Sequence, residues 1–248
     1  MPLERAGRRD AASSVAAVSL RIRPLPASLP RTTHRTAATS PHLGTNSLTV
    51  VLDWDGTVTE RDSLWMVLER FGDQEVFERA EEALGLTMTL REVIELEFTG
   101  VRAPFDEVLA WMLEHVRVRP GFREFAEAHD PLILSSSFVE TIEPLLEREG
   151  VRLRVLANCV DAAADGWRVR WRDETVCHHC NESCKRGGLP DDGPVVFVGD
   201  GYSDRCAALA ADRVFARDGL ARYLEREGVR FEPFVDFVQL GAALSSLG

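Results

Sequence analysis

A chain of 248 residues can bury one sizeable core, or a core with a small companion domain. Its formal net charge of −11 offers a nucleic-acid backbone no basic face, which argues against nucleic acid as a partner. No apolar run reaches the roughly 20 residues that a bilayer-spanning helix needs, so a membrane partner is not expected either. An acidic protein that handles phosphate must then gather positive charge locally, from a metal, a lysine or backbone N–H groups.

Residues 1–46 stand apart. They are rich in Ala, Ser, Thr, Pro and Arg, hold only Glu4 and Asp10 as acids, and contain no aromatic residue. That composition cannot bury enough apolar area to offset ordering entropy; a disordered extension is the favoured reading, with an organelle transit peptide or an over-extended start as alternatives. The first strand is expected at Leu48–Leu52, a β-branched run ending in Asp53-Trp54-Asp55-Gly56-Thr57. Residues 62–118 change to helical periodicity: Leu64, Val67, Leu68 and Phe71, then Val93, Ile94 and Glu97-Phe98, then Phe105, Val108, Leu109 and Met112. Asp62 or Ser63 would cap the first of these helices. Further strands are expected at 131–134, 151–156, 194–198 and 213–216, with an exposed hairpin strand at Trp167–Trp171. Helices are expected at 139–149, 203–211 and 220–227. Strands alternating with helices predict an α/β fold: a Rossmann-like three-layer core with a parallel sheet, at 47–61 and 119–248, carrying an inserted helical cap at 62–118.

Ligands in open parallel sheets bind beyond the carboxyl ends of the strands. Three of these expected strands end in reactive groups: Asp53 with Asp55, Ser135-Ser136-Ser137, and Asp200 with Asp204. An Asp-Gly pair alone is more often a turn or a helix cap; after a buried strand, with partners elsewhere, it reads as chemistry. One carboxylate of the first pair can attack phosphorus while the other protonates the leaving oxygen and then deprotonates water. Gly56 permits the turn, and Thr57 offers a hydroxyl and an N–H to phosphate oxygens. Asp200 would join Asp53 and a backbone carbonyl around a hard cation such as Mg2+, with Asp204 supporting them or capping a helix. Ser135, or Ser136 one position on, can donate to phosphate. Among 29 basic residues Lys185 is the only lysine, which leaves 28 arginines. A compact ammonium acts as a point charge where a planar guanidinium fork would not fit, so Lys185 is a candidate phosphate ligand.

Asp53-Trp54-Asp55-Gly56-Thr57, Ser135, Lys185 and Gly199-Asp200-Gly201-Tyr202-Ser203-Asp204 resemble the four ordered motifs of the haloacid dehalogenase superfamily. The resemblance runs over roughly residues 48–240 and implies Asp53 as nucleophile and Asp55 as acid/base. It also implies Ser135 and Lys185 as phosphate ligands, with magnesium held by Asp53, the Asp55 carbonyl and Asp200. The insert between the first and second motifs is similar to the helical cap of the phosphoserine-phosphatase-like subclass. Cys177-His178-His179-Cys180 through Cys184-Lys185-Arg186, with Ala207-Ala208 and Val214–Asp218, resembles the methionine-salvage branch, although Ser136-Ser137 stand where that branch commonly has glycines. Phosphoethanolamine/phosphocholine phosphatases share much of the cysteine–lysine region.

The expected activity is hydrolysis of a small phosphorylated metabolite, by a monomer or homodimer. A mutase or phosphotransferase would use the same residues with another acceptor, and a catalytically silent scaffold would bind a partner instead. An odd count of five cysteines fits a reducing, cytoplasmic setting, with organelle targeting by the first 46 residues left open. Cys177, Cys180 and Cys184, with Cys159 as a fourth ligand, can be read as a zinc site, but the two-pair spacing of a zinc ribbon is absent and reduced packing thiols are the favoured reading. Trp65, Trp111 and Met112 either line the cap's substrate side or pack in its core.

Overall fold

Residues 48–245 are the part of the chain that the structure, a computed structural model, describes; the extension at 1–46 lies outside them. Seven strands form one sheet in the order β4-β3-β2-β1-β5-β6-β7, so β1 (Thr49–Leu52) is central. β2 (Leu132–Phe138) and β3 (Val155–Ala163) extend the sheet on one side of β1. β5 (Val195–Gly199), β6 (Arg213–Ala216) and β7 (Glu232–Pro233) extend it on the other. These pairings are parallel, and β4 (Gly166–Arg170) alone is antiparallel, as the return arm of a hairpin with β3. The chain thus leaves β1 toward one edge and later comes back beside it toward the other, which opens a crevice at the carboxyl end of β1.

Alternate residues of the central strands pack into two separate cores. Val50, Leu52, Val196 and Val198 point to one face, against α5 (Phe122–His129), α6 (Val139–Arg148) and α9 (Phe237–Ser245). Val51, Val195 and Phe197 point to the other, against α7 (Arg205–Ala208) and α8 (Asp218–Glu227). Strands apolar on both faces are what a sheet covered by helices on both sides requires.

Four helices lie between β1 and β2: α1 (Ser63–Phe71), α2 (Gln74–Ala83), α3 (Leu90–Phe98) and α4 (Phe105–His115). Local signals start them. The Asp62 carboxylate accepts from Trp65 N at 2.9 Å, Asp73 caps α2, and Thr89 with Glu92 forms a reciprocal capping box on α3. This cap rests on the β3–β4 hairpin. Trp167 is buried, its indole N–H donates to Ala103 O at 3.0 Å, and its ring stacks on Phe98 at 6.1 Å between centroids.

Several sequence expectations shift. β2 runs on through the three serines to Phe138, so they lie inside the strand, where its register with β3 slips between Leu134 and Phe138. β3 starts at Val155 instead of Val151, because 151–154 is a connecting segment, and it then continues well beyond Leu156 as the hairpin arm. The hairpin strand expected to be exposed carries a buried Trp167, since the cap covers it. The helix expected at 203–211 shortens to one turn, as the chain first wraps the Asp204 carboxylate. Among the described residues no helix is long and apolar enough to cross a membrane.

Trp167→Ala removes the largest side chain shared by hairpin and cap, and is expected to cost about 3–5 kcal/mol in denaturant unfolding.

Candidate active site

β1 ends at a buried Asp53, whose N–H donates to Val198 O of β5 at 2.9 Å. The chain then turns sharply: Asp55 is extended (φ −71°, ψ 126°) and Gly56 takes φ 70°. A side chain at Gly56 would be strained at that φ and would also overlap the Asp200 carboxylate, so glycine is required for both reasons. Trp54, between the two aspartates, points into the core and meets Phe122 edge-on at 6.4 Å. Thr57 Oγ1 donates to Asp53 Oδ2 at 3.1 Å and lies 3.3 Å from Asp200 Oδ1.

Beneath this turn the buried Arg119 guanidinium donates to the carbonyls of Gly56 (2.8 Å), Thr57 (3.0 Å) and Thr59 (3.2 Å). Sequence reading missed Arg119, which no motif marks. Asp55 is held from the cap side: its Oδ1 accepts from Ser63 N at 3.1 Å and from the Ser63 hydroxyl, at the N-terminus of α1.

The solitary lysine is buried, and its ammonium lies between two carboxylates, donating to Asp53 Oδ1 and, at 2.7 Å, to Asp204 Oδ1. The other Asp204 oxygen accepts from the N–H groups of Asp200 (2.9 Å) and Gly201 (3.0 Å). Asp204 therefore has both oxygens engaged and sets the positions of Lys185 and Asp200. Burial alone would push the Lys185 ammonium down, but the charges of Asp204 and Asp53 outweigh it and hold it above the ordinary lysine value. Burial raises the Asp53 carboxyl to about 7, Asp204 adding to the effect and Lys185 opposing it. Burial, then the charges of Asp53 and Asp204, push Asp200 up to about 10. One ammonium among these carboxylates leaves an excess of buried negative charge, and ligand oxygens of Asp53, Asp200 and Asp204 lie within 4.8 Å of one another. A hard, oxygen-binding divalent cation suits that donor set.

Ser135 and Ser136 sit at the register slip in β2, the kind of irregularity that re-aims side chains beside a site. Ser135 Oγ accepts from Ser137 N at 2.9 Å and lies 3.4 Å from Asp55 Oδ2. Ser136 lines the pocket, and its carbonyl accepts from Asn158 Nδ2 at 2.7 Å. Asp53 and the eight residues singled out with it thus gather around the ends of β1 and β5 and the register slip inside β2.

Above them a pocket of about 300 Å³ opens toward the cap. Leu64, Trp65, Leu68, Leu90, Val93 and Ile94 form its apolar wall, and Glu81 and Glu97, with Asp62 and Asp218, its acidic part beyond the aspartates of the floor. Among the described residues Lys185 is its only basic lining residue. Glu97 is buried and its Oε1 has no hydrogen-bond partner among the described residues. Burial, with the Glu81 charge beside it, raises the Glu97 carboxyl to about 8, so it is a neutral acid at neutral pH. Helical spacing had hidden this residue, since position 97 falls on the same face as the core residues Val93 and Ile94. Of the three cap residues in question, Trp65 faces the pocket and is 44% exposed, whereas Met112 is buried core and Trp111 packs on Phe71 and His115 away from the aspartates.

The expectation for Cys159 needs correction. It lies on β3, opposite Arg170, while the sulfur atoms of Cys177, Cys180 and Cys184 gather with that of Cys206.

The family model for haloacid dehalogenase-like hydrolases matches residues 50–209. The chain belongs to that family. Among similar relatives, the 2-hydroxy-3-keto-5-methylthiopentenyl-1-phosphate phosphatase of Bacillus cereus (strain B4264) is 26% identical over 213 residues, covering 81% of this chain and 97% of the relative. The protein of the same name from Geobacillus kaustophilus (strain HTA426) is 27% identical over 215 residues, covering 82% and 98%. A substrate-bound phosphoserine phosphatase shares the fold at TM-score 0.60 and 14% identity, covering 81% of this chain and 99% of that one. The phosphoserine phosphatase from T. onnurineus does so at TM-score 0.56 and 23% identity, covering 77% and 91%. This haloacid dehalogenase-like hydrolase is a phosphoric monoester hydrolase.

Lys185→Arg keeps the charge but not the shape, and is expected to lower kcat/KM about a hundredfold or more in a phosphatase assay, because the guanidinium cannot fit between Asp53 and Asp204. Glu97 keeps its proton up to about pH 8 when folded, but only in the ordinary carboxylate range when unfolded. Its contribution to stability is therefore full below the unfolded value and lost as pH rises through the folded one. Glu97→Gln should accordingly gain in Tm on the parent between about pH 5 and pH 9, and parallel Tm curves would contradict this placement.

Proposed function

We propose that the enzyme hydrolyses a small-molecule phosphate monoester through a phosphoaspartyl intermediate on Asp53, with magnesium as cofactor. The observation that carries this reading is the buried Lys185–Asp53 pair at the floor of a pocket that Asp55 and Asp200 also line. The Asp53 carboxylate attacks phosphorus while the bond to the leaving oxygen breaks, and Asp55 gives that oxygen its proton. Burial raises the Asp55 carboxyl, with the Ser63 bonds opposing it, which favours a proton being present to give. Asp55 then takes a proton from water as the water oxygen attacks phosphorus, the bond to Asp53 breaks, and inorganic phosphate leaves. Lys185, Ser135 or Ser136 and Thr57 hold the phosphoryl oxygens; the Gly56 N–H, expected among the phosphate ligands, donates instead to Thr59 Oγ1 at 3.0 Å. Asp53, the Asp55 carbonyl and Asp200 would hold Mg2+, which supplies charge neutralisation for the phosphoryl group when bound.

For the organic part, the curated relatives and the pocket agree best on 2-hydroxy-3-keto-5-methylthiopentenyl-1-phosphate. An apolar cap wall suits a methylthio chain, and a protonated Glu97 can donate to a keto or hydroxyl oxygen. Phosphoserine fits poorly, since its carboxylate would meet Glu81 and Glu97 with no basic lining residue beyond Lys185. The same two glutamates favour a second reading, a phosphorylated amine such as phosphoethanolamine or phosphocholine. Five free cysteines fit a reducing cytoplasm, and a monomer or homodimer would suffice for this chemistry.

With magnesium present, phosphate release from a metabolite panel is expected to rank the methylthio enol ester first and phosphoserine last; a ranking led by phosphoserine would defeat the substrate assignment. Acid quenching during turnover of a phosphorus-labelled substrate should leave label on the parent protein and none on Asp53→Asn. Asp55→Asn is expected to lower kcat by about 10²–10⁴-fold. Label retained by Asp53→Asn would refute the mechanism.

A further inference from the structure

The segment 171–184 joins β4 to Lys185 with turns and bends but no helix or strand, and exposes Val176. A loop this long without regular structure calls for an anchor. Its one concentrated feature is sulfur. The Sγ atoms of Cys177, Cys180, Cys184 and Cys206 all lie within 4.8 Å of one another, and Cys177 Sγ is 3.7 Å from Cys206 Sγ. A tetrahedral thiolate site with Zn–S of about 2.3 Å has S···S edges of about 3.8 Å, so the spacing is that of a site needing little adjustment.

The loop is folded around those sulfurs. Asn181 N donates to Cys177 O at 2.8 Å and Cys177 N to Glu182 O at 2.9 Å, closing a turn in which Asn181 takes φ 57°. His179 N lies 3.5 Å from Cys177 Sγ, positioned to donate to a thiolate. Arg186 Nη1 lies 3.5 Å from Cys206 O, which brings positive charge to the cluster.

We propose that Cys177, Cys180, Cys184 and Cys206 form a structural zinc site that ties the 171–184 loop to α7. Cys184 precedes Lys185, and Cys206 follows Asp204 by two residues, so the metal would brace both ends of the Lys185–Asp204 ion pair without touching substrate. Three ligands come from one C-x2-C-x3-C loop and the fourth from a separate short helix, which is why ribbon-like spacing is missing from the sequence.

Protein purified without chelator from zinc-supplied cells is expected to carry about one zinc per chain, and cobalt loading to give thiolate charge-transfer absorption with tetrahedral visible bands. Cys180→Ser and Cys206→Ser should each lose metal, whereas Cys159→Ser, His178→Ala and His179→Ala should keep it. Cys206 is buried, so Cys180→Ser, confirmed as folded by circular dichroism, is the deciding variant. Zinc retained by folded Cys180→Ser, zinc below about one per ten chains, or a Cys177–Cys206 disulfide found by mass mapping would overturn the proposal. Asp53→Asn should keep its zinc, so loss of phosphatase activity and loss of this site are read separately.

Discussion

Everything at the carboxyl end of the sheet depends on one buried ammonium between two carboxylates. Lys185 bonds Asp53 on β1 and Asp204 at the start of α7, and through Asp204 it orders the backbone N–H groups of Asp200 and Gly201. Buried ion pairs contribute little net stability, because desolvation offsets their attraction, but breaking one by removing a single partner is expensive. The pair therefore specifies geometry more than it stabilises the fold. It also leaves a local deficit of positive charge: burial and then the Asp204 charge raise Asp53, and burial and then the charges of Asp53 and Asp204 raise Asp200. A divalent cation held there would offset that deficit and, with Lys185, the further negative charge that a phosphoryl group brings.

The scaffold meets this constraint by dividing the work. Parallel pairing of β1 with β2 and with β5 brings their ends level, so groups far apart in sequence reach one spot. Arg119 fastens the carbonyls of Gly56, Thr57 and Thr59 beneath the turn, which fixes the backbone between Asp55 and the cap. The cap joins through Asp55, whose carboxylate is held at the N-terminus of α1. A group proposed to carry a proton is thus positioned by the element that would shape the substrate cavity, which makes acid/base chemistry sensitive to how the cap sits.

That division explains what could be read from sequence. β1, β5, β6 and three of the four cap helices follow from apolar periodicity and capping residues, which are local signals; α2, which buries only Ala80, shows no such stripe. The Asp53/Asp55/Asp200 convergence is local in the same way, because each residue directly follows a buried run. α5 and α9 were not read: the first is eight residues opened by a left-handed Gly121, and the second carries Gly241 and the exposed Val238 within its span. The serines were placed at a strand end because polarity in a strand looks like its terminus, when the slip in register lets the strand continue. Cys206 and Arg119 carry no local mark, and Glu97 carries only that of an acid set in the apolar stripe of α3. Their roles arise from tertiary neighbours, and Cys159 was chosen over Cys206 only because sequence spacing cannot tell which lone cysteine folds back.

The distribution of charge around the pocket fixes how a substrate can lie. Positive charge is confined to the floor, at Lys185, while the cap wall combines aliphatic side chains with a glutamate pair. A phosphate ester can therefore enter in only one orientation, phosphoryl end down. A second anionic group has no place at the upper end, where it would face the Glu81 charge and a Glu97 that cannot ionise without further cost. On the proposed reading the core recognises what all phosphate esters share and the cap selects by charge and shape, so the core motifs identify the chemistry more sharply than the metabolite.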